Sequence, residues 1–208
     1  MKNVALFDFD GTITEKDTLF DFIRFTHGNI GFIRCLLFNI WNLALYALKL
    51  RTNERAKEKL LATILTGNRT NLFKEQCKLY CKERIPQILN KKAVAIIQKH
   101  KSNGEELYIV SASPEDWITP WALANGFTGV IATQLEKKNG ALTGKFSSRN
   151  CYGNEKVNRL KKQFPIREDY YIYAYGDSNS DKPMLEYANE GNFIKNAIAV
   201  TPAIPPAR

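Results

Sequence analysis

The stretch Asn3-Val4-Ala5-Leu6-Phe7-Asp8-Phe9-Asp10-Gly11-Thr12-Ile13-Thr14 (NVALFDFDGTIT) decides the reading of this chain. Its apolar run, Val4 to Phe7, has the length and the bounding turn signal of a fully buried strand. The run then delivers two carboxylates, Asp8 and Asp10, just before a Gly-Thr turn. On an extended strand, residues two apart point the same way. Two anions so placed repel unless a cation bridges them or one is protonated. Oxygen donors suit a hard divalent cation, and Mg²⁺ is the usual choice beside phosphates.

Outward from this stretch, the period changes twice. From Asp17 to about Ala95 the pattern is helical, with breaks at Gly67-Asn68 and at Asn103-Gly104 beyond the last helix, read over Ile88–Lys101. Short apolar strands then alternate with helices. Strands are expected at Leu107–Val110, Val130–Thr133 and Tyr171–Tyr175, with a last one near Ala197–Val200. Helices are expected from Pro114 toward Asn125, over Glu155–Gln163 and over Asp181–Ala188. Lys138-Asn139-Gly140 reads as a hairpin turn between Leu135 and Leu142. Such alternation predicts an α/β fold, a Rossmann-like parallel sheet flanked by helices, with an all-helical segment inserted after the first strand. The expected division is a core of residues 1–14 and 96–201, a helical cap of 15–95 and a Pro-rich tail of 202–208.

In parallel sheets ligands sit beyond the carboxyl ends of the strands. Three predicted strand ends carry polar groups: Asp8 with Asp10, Ser111, and Asp177. This set is suited to phosphoryl transfer. One carboxylate attacks phosphorus to give an acyl phosphate, and the other exchanges a proton with the leaving alkoxide and then with water.

DFDGT at 8–12, the Ser of VSASP at 109–113, the Lys of NCYGNEKVNRL at 150–160 and GDSNSDKPML at 176–185 resemble, in order, the four motifs of the haloacid dehalogenase superfamily. The resemblance implies Asp8 as nucleophile and Asp10 as general acid/base. It implies Ser111 and the Ala112 amide as phosphate donors, with Lys156 steadying the nucleophile and the phosphoryl group. Asp177 would hold Mg²⁺ together with Asp8 and the Asp10 carbonyl, and Asp181 would order the water shell of the metal or hold Lys156. Branches that cleave carbon–halogen bonds lack the second acid, so Asp10 implies a phosphatase or phosphomutase. A helical insertion between the first two motifs is similar to the phosphoserine-phosphatase-like branch, where an acid soon after the first motif faces the substrate. Asp17 holds that place, and it equally suits an N-cap for the helix at Leu19.

The four cysteines are too few for a disulfide scaffold, and a reducing, cytoplasmic setting is expected. Asp8 and Asp10 interrupt the first apolar run, which speaks against a secretory leader. Of the net charge of +9, residues 15–92 carry +8, from 15 Lys/Arg against 7 Asp/Glu. That excess points to an anionic partner or to a well-solvated helical surface. Basic and aromatic residues are not interleaved as a nucleic-acid platform requires.

IGFIRCLLFNIWNLALYALKL, residues 30–50, is the unusual piece. Read as one helix, Arg34, Lys49, Asn42, Tyr46 and Asn39 share one polar arc and the remainder is apolar. It reads either as a helix pair packed inside the cap, with Asn39 or Asn42 near a turn, or as a helix lying on an anionic membrane, with residues 30–59 making peripheral contact on the inner face. This segment, with DTLFDFIRF and SSRNCYGNEKV, looks like the bacterial phosphatidylglycerophosphate phosphatases. The substrates to weigh are therefore a small soluble phosphate such as a phosphoserine-like metabolite and a lipid phosphate. A non-catalytic module that binds anionic ligands is the reading from another class.

Overall fold

The computed structural model describes residues 1–194. The strand expected near Ala197–Val200 and the Pro-rich tail lie outside the described residues. A parallel five-stranded sheet is built from β1 (Lys2–Phe7), β2 (Glu106–Pro114), β3 (Gly129–Thr133), β6 (Tyr170–Gly176) and β7 (Glu190–Phe193), in the order β3-β2-β1-β6-β7. β4 (Leu135–Lys138) and β5 (Ala141–Phe146) form a separate hairpin. Asn139 and Gly140 both have positive φ, 50° and 76°, which is the two-residue turn that matches strand twist.

Between β1 and β2 the chain is helical: α1 (Thr18–Phe38), α2 (Ile40–Ala47), α3 (Asn53–Leu65), α4 (Thr70–Leu79) and α5 (Lys91–Ser102). A π-turn at Tyr80–Arg84 and a 3₁₀ turn at Ile85–Ile88 join α4 to α5, so the helix expected from Ile88 starts at Lys91. α6 (Thr119–Ala124), α7 (Asn154–Gln163) and α8 (Lys182–Tyr187) follow later strands. Pro114 ends β2, and a 3₁₀ turn at Glu115–Trp117 precedes α6, so the helix expected from Pro114 is split.

Two apolar layers cover the sheet. Val4, Leu6, Val110, Leu160, Ile172 and Met184 fill one side. On the other, Ala5, Phe7, Phe9 and Ile109 join Leu19, Phe22, Leu60, Phe73 and Trp117 in one continuous cluster. The helical segment therefore shares its core with the sheet. Phe22 stacks on Trp117 with centroids 4.7 Å apart, a contact that fixes α1 against the turn after β2.

Residues 30–50 do not form one helix. α1 is interrupted at Gly28, with φ 68° and ψ 178°, and α1 and α2 meet at Asn39 with a bend of 63°. The bend breaks the polar arc read on a single helix. Asn39 and Asn42 turn inward, 3% and 5% exposed. Asn39 donates to Cys35 O and Thr63 Oγ1, and Asn42 donates to Ala56 O and accepts from Arg51. Among the described residues no single helix is long and apolar enough to cross a membrane.

Candidate active site

Register brings the motif ends together. Phe7 pairs with Ile109 of β2 and with Tyr175 of β6, so Asp8, Val110-Ser111 and Gly176-Asp177 emerge side by side from three adjacent strands. Asp8 N donates to Tyr175 O at 2.8 Å, which prolongs the ladder as far as the carboxylate.

Lys156 arrives from the first turn of α7 and is the centre of the buried charge cluster, 1% exposed. Its Nζ donates to Asp8 Oδ1 at 2.6 Å, Asp181 Oδ1 at 2.6 Å and Val110 O at 2.8 Å, which satisfies all three of its donors. Burial pulls the lysine pKa down, but Asp8 and Asp181 outweigh it and hold the ammonium above its usual value. Burial pushes the Asp8 carboxyl up to about 7, Lys156 opposes it, and the anions Asp181 and Asp10 add to the rise. Asp177 is raised by burial and by Asp181. Asp181 would be raised by its burial, yet Lys156 and the Ser178 donors hold it below the ordinary range. Its Oδ2 accepts from Ser178 Oγ at 2.7 Å and Ser178 N at 3.0 Å.

Asp8, Asp177 and Asp181 each offer a carboxylate oxygen within 4.8 Å of the others. Gly11, with φ +81°, lies directly against Asp177: a Cβ there would stand 2.3 Å from Asp177 Oδ2. Thr12 Oγ1 links the two strand ends, 3.5 Å from Asp8 Oδ2 and 3.3 Å from Asp177 Oδ1.

Asp10 has different company. Its Oδ1 accepts from Thr18 N at 2.7 Å and Thr18 Oγ1 at 2.5 Å, and its Oδ2 accepts from Ser113 Oγ at 2.5 Å. Trp117 Nε1 donates in turn to Thr18 Oγ1 at 3.2 Å. Ser111 is fully buried at the β2 tip, its Oγ accepting from Ser113 N at 3.1 Å. The Ala112 carbonyl accepts from Thr133 Oγ1 at 3.0 Å and lies 3.5 Å from Lys57 Nζ of α3. Asp17 lies near Asp10 and Lys57: burial and the Asp10 charge raise its carboxyl, and Lys57 opposes the rise. The Asp17 carboxylate caps α1, accepting from Leu19 N at 2.9 Å and Phe20 N at 3.4 Å.

Thr18, Ser113, Thr12 and Lys57 were not singled out in the sequence. Ser113 carried a signal, since it lies two residues beyond Ser111 at the strand end. Thr18 and Lys57 carried none, because their places depend on how the helical segment packs.

The haloacid dehalogenase-like hydrolase family matches residues 5–186. Protein CicA of Caulobacter vibrioides is 29% identical over 199 residues, 91% of this chain and 85% of that protein. Histidinol-phosphatase of Neisseria meningitidis serogroup C is 31% identical over 101 residues, 46% of each chain. A phospho-aspartyl intermediate analogue structure of phosphoserine phosphatase has the same fold, with a TM-score of 0.63 at 21% identity, covering 92% of this chain and 85% of that one. With its four motifs converging at one end of the sheet, the chain belongs to the haloacid dehalogenase-like hydrolase family.

Proposed function

We propose that this chain is a Mg²⁺-dependent phosphomonoester hydrolase that works through an aspartyl-phosphate on Asp8, with Asp10 as general acid/base. Its substrate is a small soluble phosphate ester, of the phosphoserine-like kind. One observation carries the reading: two carboxylates two residues apart are held by entirely different partners. Asp8 faces an ammonium and Asp10 faces hydroxyls. Two acids in different settings can take different roles.

In this reading Lys156 engages one oxygen of Asp8 and leaves Oδ2, with Thr12 at 3.5 Å, to attack phosphorus. The new bond from Oδ2 to phosphorus forms as the ester P–O bond breaks, and Asp10 gives its proton to the departing alkoxide. Asp10 then takes a proton from water as that water attacks phosphorus and frees Asp8. Ser111 and the Ala112 amide donate to the phosphoryl oxygens, and Asp181 fixes Lys156 at 2.6 Å. The all-oxygen cluster fits a hard divalent cation. Asp8, Asp177 and the Asp10 carbonyl would hold Mg²⁺, which when bound neutralises charge on the transferring group. Residues 15–95 serve as a cap that excludes water, and its Lys57 reaches to 3.5 Å from the Ala112 carbonyl at the β2 tip. Asp17 is taken up by its capping bonds, which supports a structural role for it.

Initial rates on soluble and lipid phosphomonoesters, with Mg²⁺ and with chelator, test the substrate and the metal. Asp8→Asn should abolish turnover of an aryl phosphate while circular dichroism is unchanged. A beryllium fluoride adduct should bond to Asp8 in a crystal; an adduct on any other oxygen overturns the assignment.

A further inference from the structure

One end of the helical segment is built inside out. After Gly28, the exposed positions of α1 include 30, 33, 34, 37 and 38, the spacing of one helical face. Four of these are Ile30, Ile33, Leu37 and Phe38, and the fifth is Arg34. The exposed surface continues through Ile40, Trp41, Leu48 and Leu50, with Phe38 77% and Trp41 80% exposed. Two polar residues of the same stretch, Asn39 and Asn42, are turned inward. A row of large apolar side chains facing water in this way marks an interaction surface.

Charge selects its partner. From residue 22 to residue 53 there is no Asp or Glu, while Arg24, Arg34, Lys49 and Arg51 are all present. The next acids, Glu54 and Glu58 on α3, are tied down by Asn150 N and Phe146 N. Beside Leu50, a cavity of about 500 Å³ is lined by Arg51, Arg55, Lys59 and Lys145, with Glu58 as its one acid. The surface is thus apolar and rimmed by cations. A second copy placed symmetrically on it would set like charges against like. An anionic lipid surface supplies both the apolar depth and the negative charge. The 63° bend at Asn39 suits a helix pair that lies in the interface plane and does not cross it. Trp41, at the tip, is a side chain that favours the headgroup level.

We propose that the second half of α1, α2 and the loop through Arg51 form a docking surface for an anionic lipid bilayer, on which the protein lies peripherally. The proposal is independent of the catalytic assignment, because its test reads binding and not turnover.

The test is co-sedimentation of the full chain with vesicles of phosphatidylcholine alone and of phosphatidylcholine with about a third phosphatidylglycerol. Binding is expected only to the anionic vesicles and should weaken at least ten-fold in half-molar salt. Each cation near such a surface strengthens binding about five-fold, so Arg34→Glu with Lys49→Glu should weaken it at least about 25-fold. Phe38→Ser with Trp41→Ser should weaken it at least about ten-fold. Leu72→Ser, an exposed apolar site on α4, should leave binding unchanged. Trp117 and Trp121 are buried, so a blue shift of tryptophan emission on adding vesicles reports Trp41. All variants change exposed side chains, and unchanged aryl phosphate turnover shows that they fold. The proposal is overturned if the wild type ignores anionic vesicles or if the Phe38/Trp41 variant binds them equally well. It is also overturned if the surface proves to join two copies in lipid-free sedimentation velocity without vesicle binding.

Discussion

Ser113 Oγ donates to Asp10 Oδ2 at 2.5 Å, joining the tip of β2 to the loop after β1. The other oxygen of Asp10 is held by Thr18, so the second acid of the DFDGT loop is fixed from both the sheet and the helical segment. On the proposed assignment of Asp10 as general acid, Ser113 is a positioning residue for it. Removing a hydrogen bond to a charged group costs about 1.5–3 kcal/mol, and misplacing a proton donor is felt only when the leaving group needs the proton. Ser113→Ala should therefore cut kcat for an alkyl phosphate about ten-fold or more and leave an aryl phosphate within about two-fold. Ser113→Thr, which keeps the hydroxyl, should recover most of the loss. Equal losses on both substrates would make Ser113 merely structural.

Lys156 is buried between two carboxylates at 2.6 Å, and its loss would leave Asp8 and Asp181 facing each other without a cation. Breaking a buried ion pair on one side costs about 3–5 kcal/mol. Lys156→Met should lower stability to urea by about that amount, besides stopping turnover. The matching acid can be neutralised in the same chain. Lys156→Met with Asp181→Asn should be more stable than Lys156→Met alone, with a coupling of about 1–3 kcal/mol in a double-mutant cycle. Additive losses would show that the ammonium does not compensate Asp181.

Gly11 and Gly140 separate site geometry from turn strain. Both have positive φ, 81° and 76°, but only at Gly11 would a Cβ strike a neighbour, Asp177 Oδ2 at 2.3 Å. Each alanine carries a left-handed backbone cost of about 1–2 kcal/mol. Gly140→Ala, at the hairpin turn, should lower the melting temperature and keep full activity. Gly11→Ala should displace Asp177, lower activity at least about 100-fold and raise the Mg²⁺ concentration needed for half-maximal rate. If Gly11→Ala keeps wild-type activity, Asp177 does not need its present position.

Much of this was legible in the chain because strand ends announce themselves. Val4–Phe7 reads as a buried strand by its length and the turn signal after it, and the acids at its tip pointed to the end of the sheet where the candidate site lies. Asp177 and Ser111 followed by the same argument, and the pairing of Phe7 with Ile109 and Tyr175 puts all three together. What escaped depends on tertiary packing. Thr18 reaches Asp10 from a helix whose place is set by packing, with Phe22 of the same helix stacked on Trp117. β7, Glu190–Phe193, was missed because its composition, EGNF, has no apolar run to mark it. The corner at Asn39 was legible only as one of two readings, the helix pair with a turn near Asn39 or Asn42, because a helical wheel assumes one axis and no proline or glycine marks the break.

The cysteines offer a check on the core. Cys35, Cys77, Cys81 and Cys151 are all free and buried. Burial raises the Cys35 and Cys77 thiols, pushes Cys81 up to about 12 and Cys151 up to about 11. Thiolate is the reactive form, so the native protein at pH 8 should show almost no reaction with a thiol-specific disulfide reagent. In denaturant all four should react. Rapid labelling of one thiol in the native state would mean that its part of the core opens readily.

On α2 a buried polar residue, Asn42, follows an exposed apolar one, Trp41. Asn42 Nδ2 donates to Ala56 O at 3.0 Å, which ties α2 to α3, and its Oδ1 accepts from Arg51 Nη1 at 2.5 Å, which holds the loop between them. Asn42→Leu adds apolar volume where a hydropathy reading invites it, yet it strips a buried carbonyl and a guanidinium of their partner. Leaving such groups unsatisfied costs about 1–3 kcal/mol, more than the added methyl groups return at a site already filled. Asn42→Leu should therefore lower stability by about 1–3 kcal/mol in a urea titration. Trp41→Ser, one position earlier, removes the largest side chain of the helix but only from water, and should cost less than about 0.5 kcal/mol. The reverse order, with Trp41→Ser the more damaging, would mean that the apolar face of α2 packs inward and that Asn42 faces solvent.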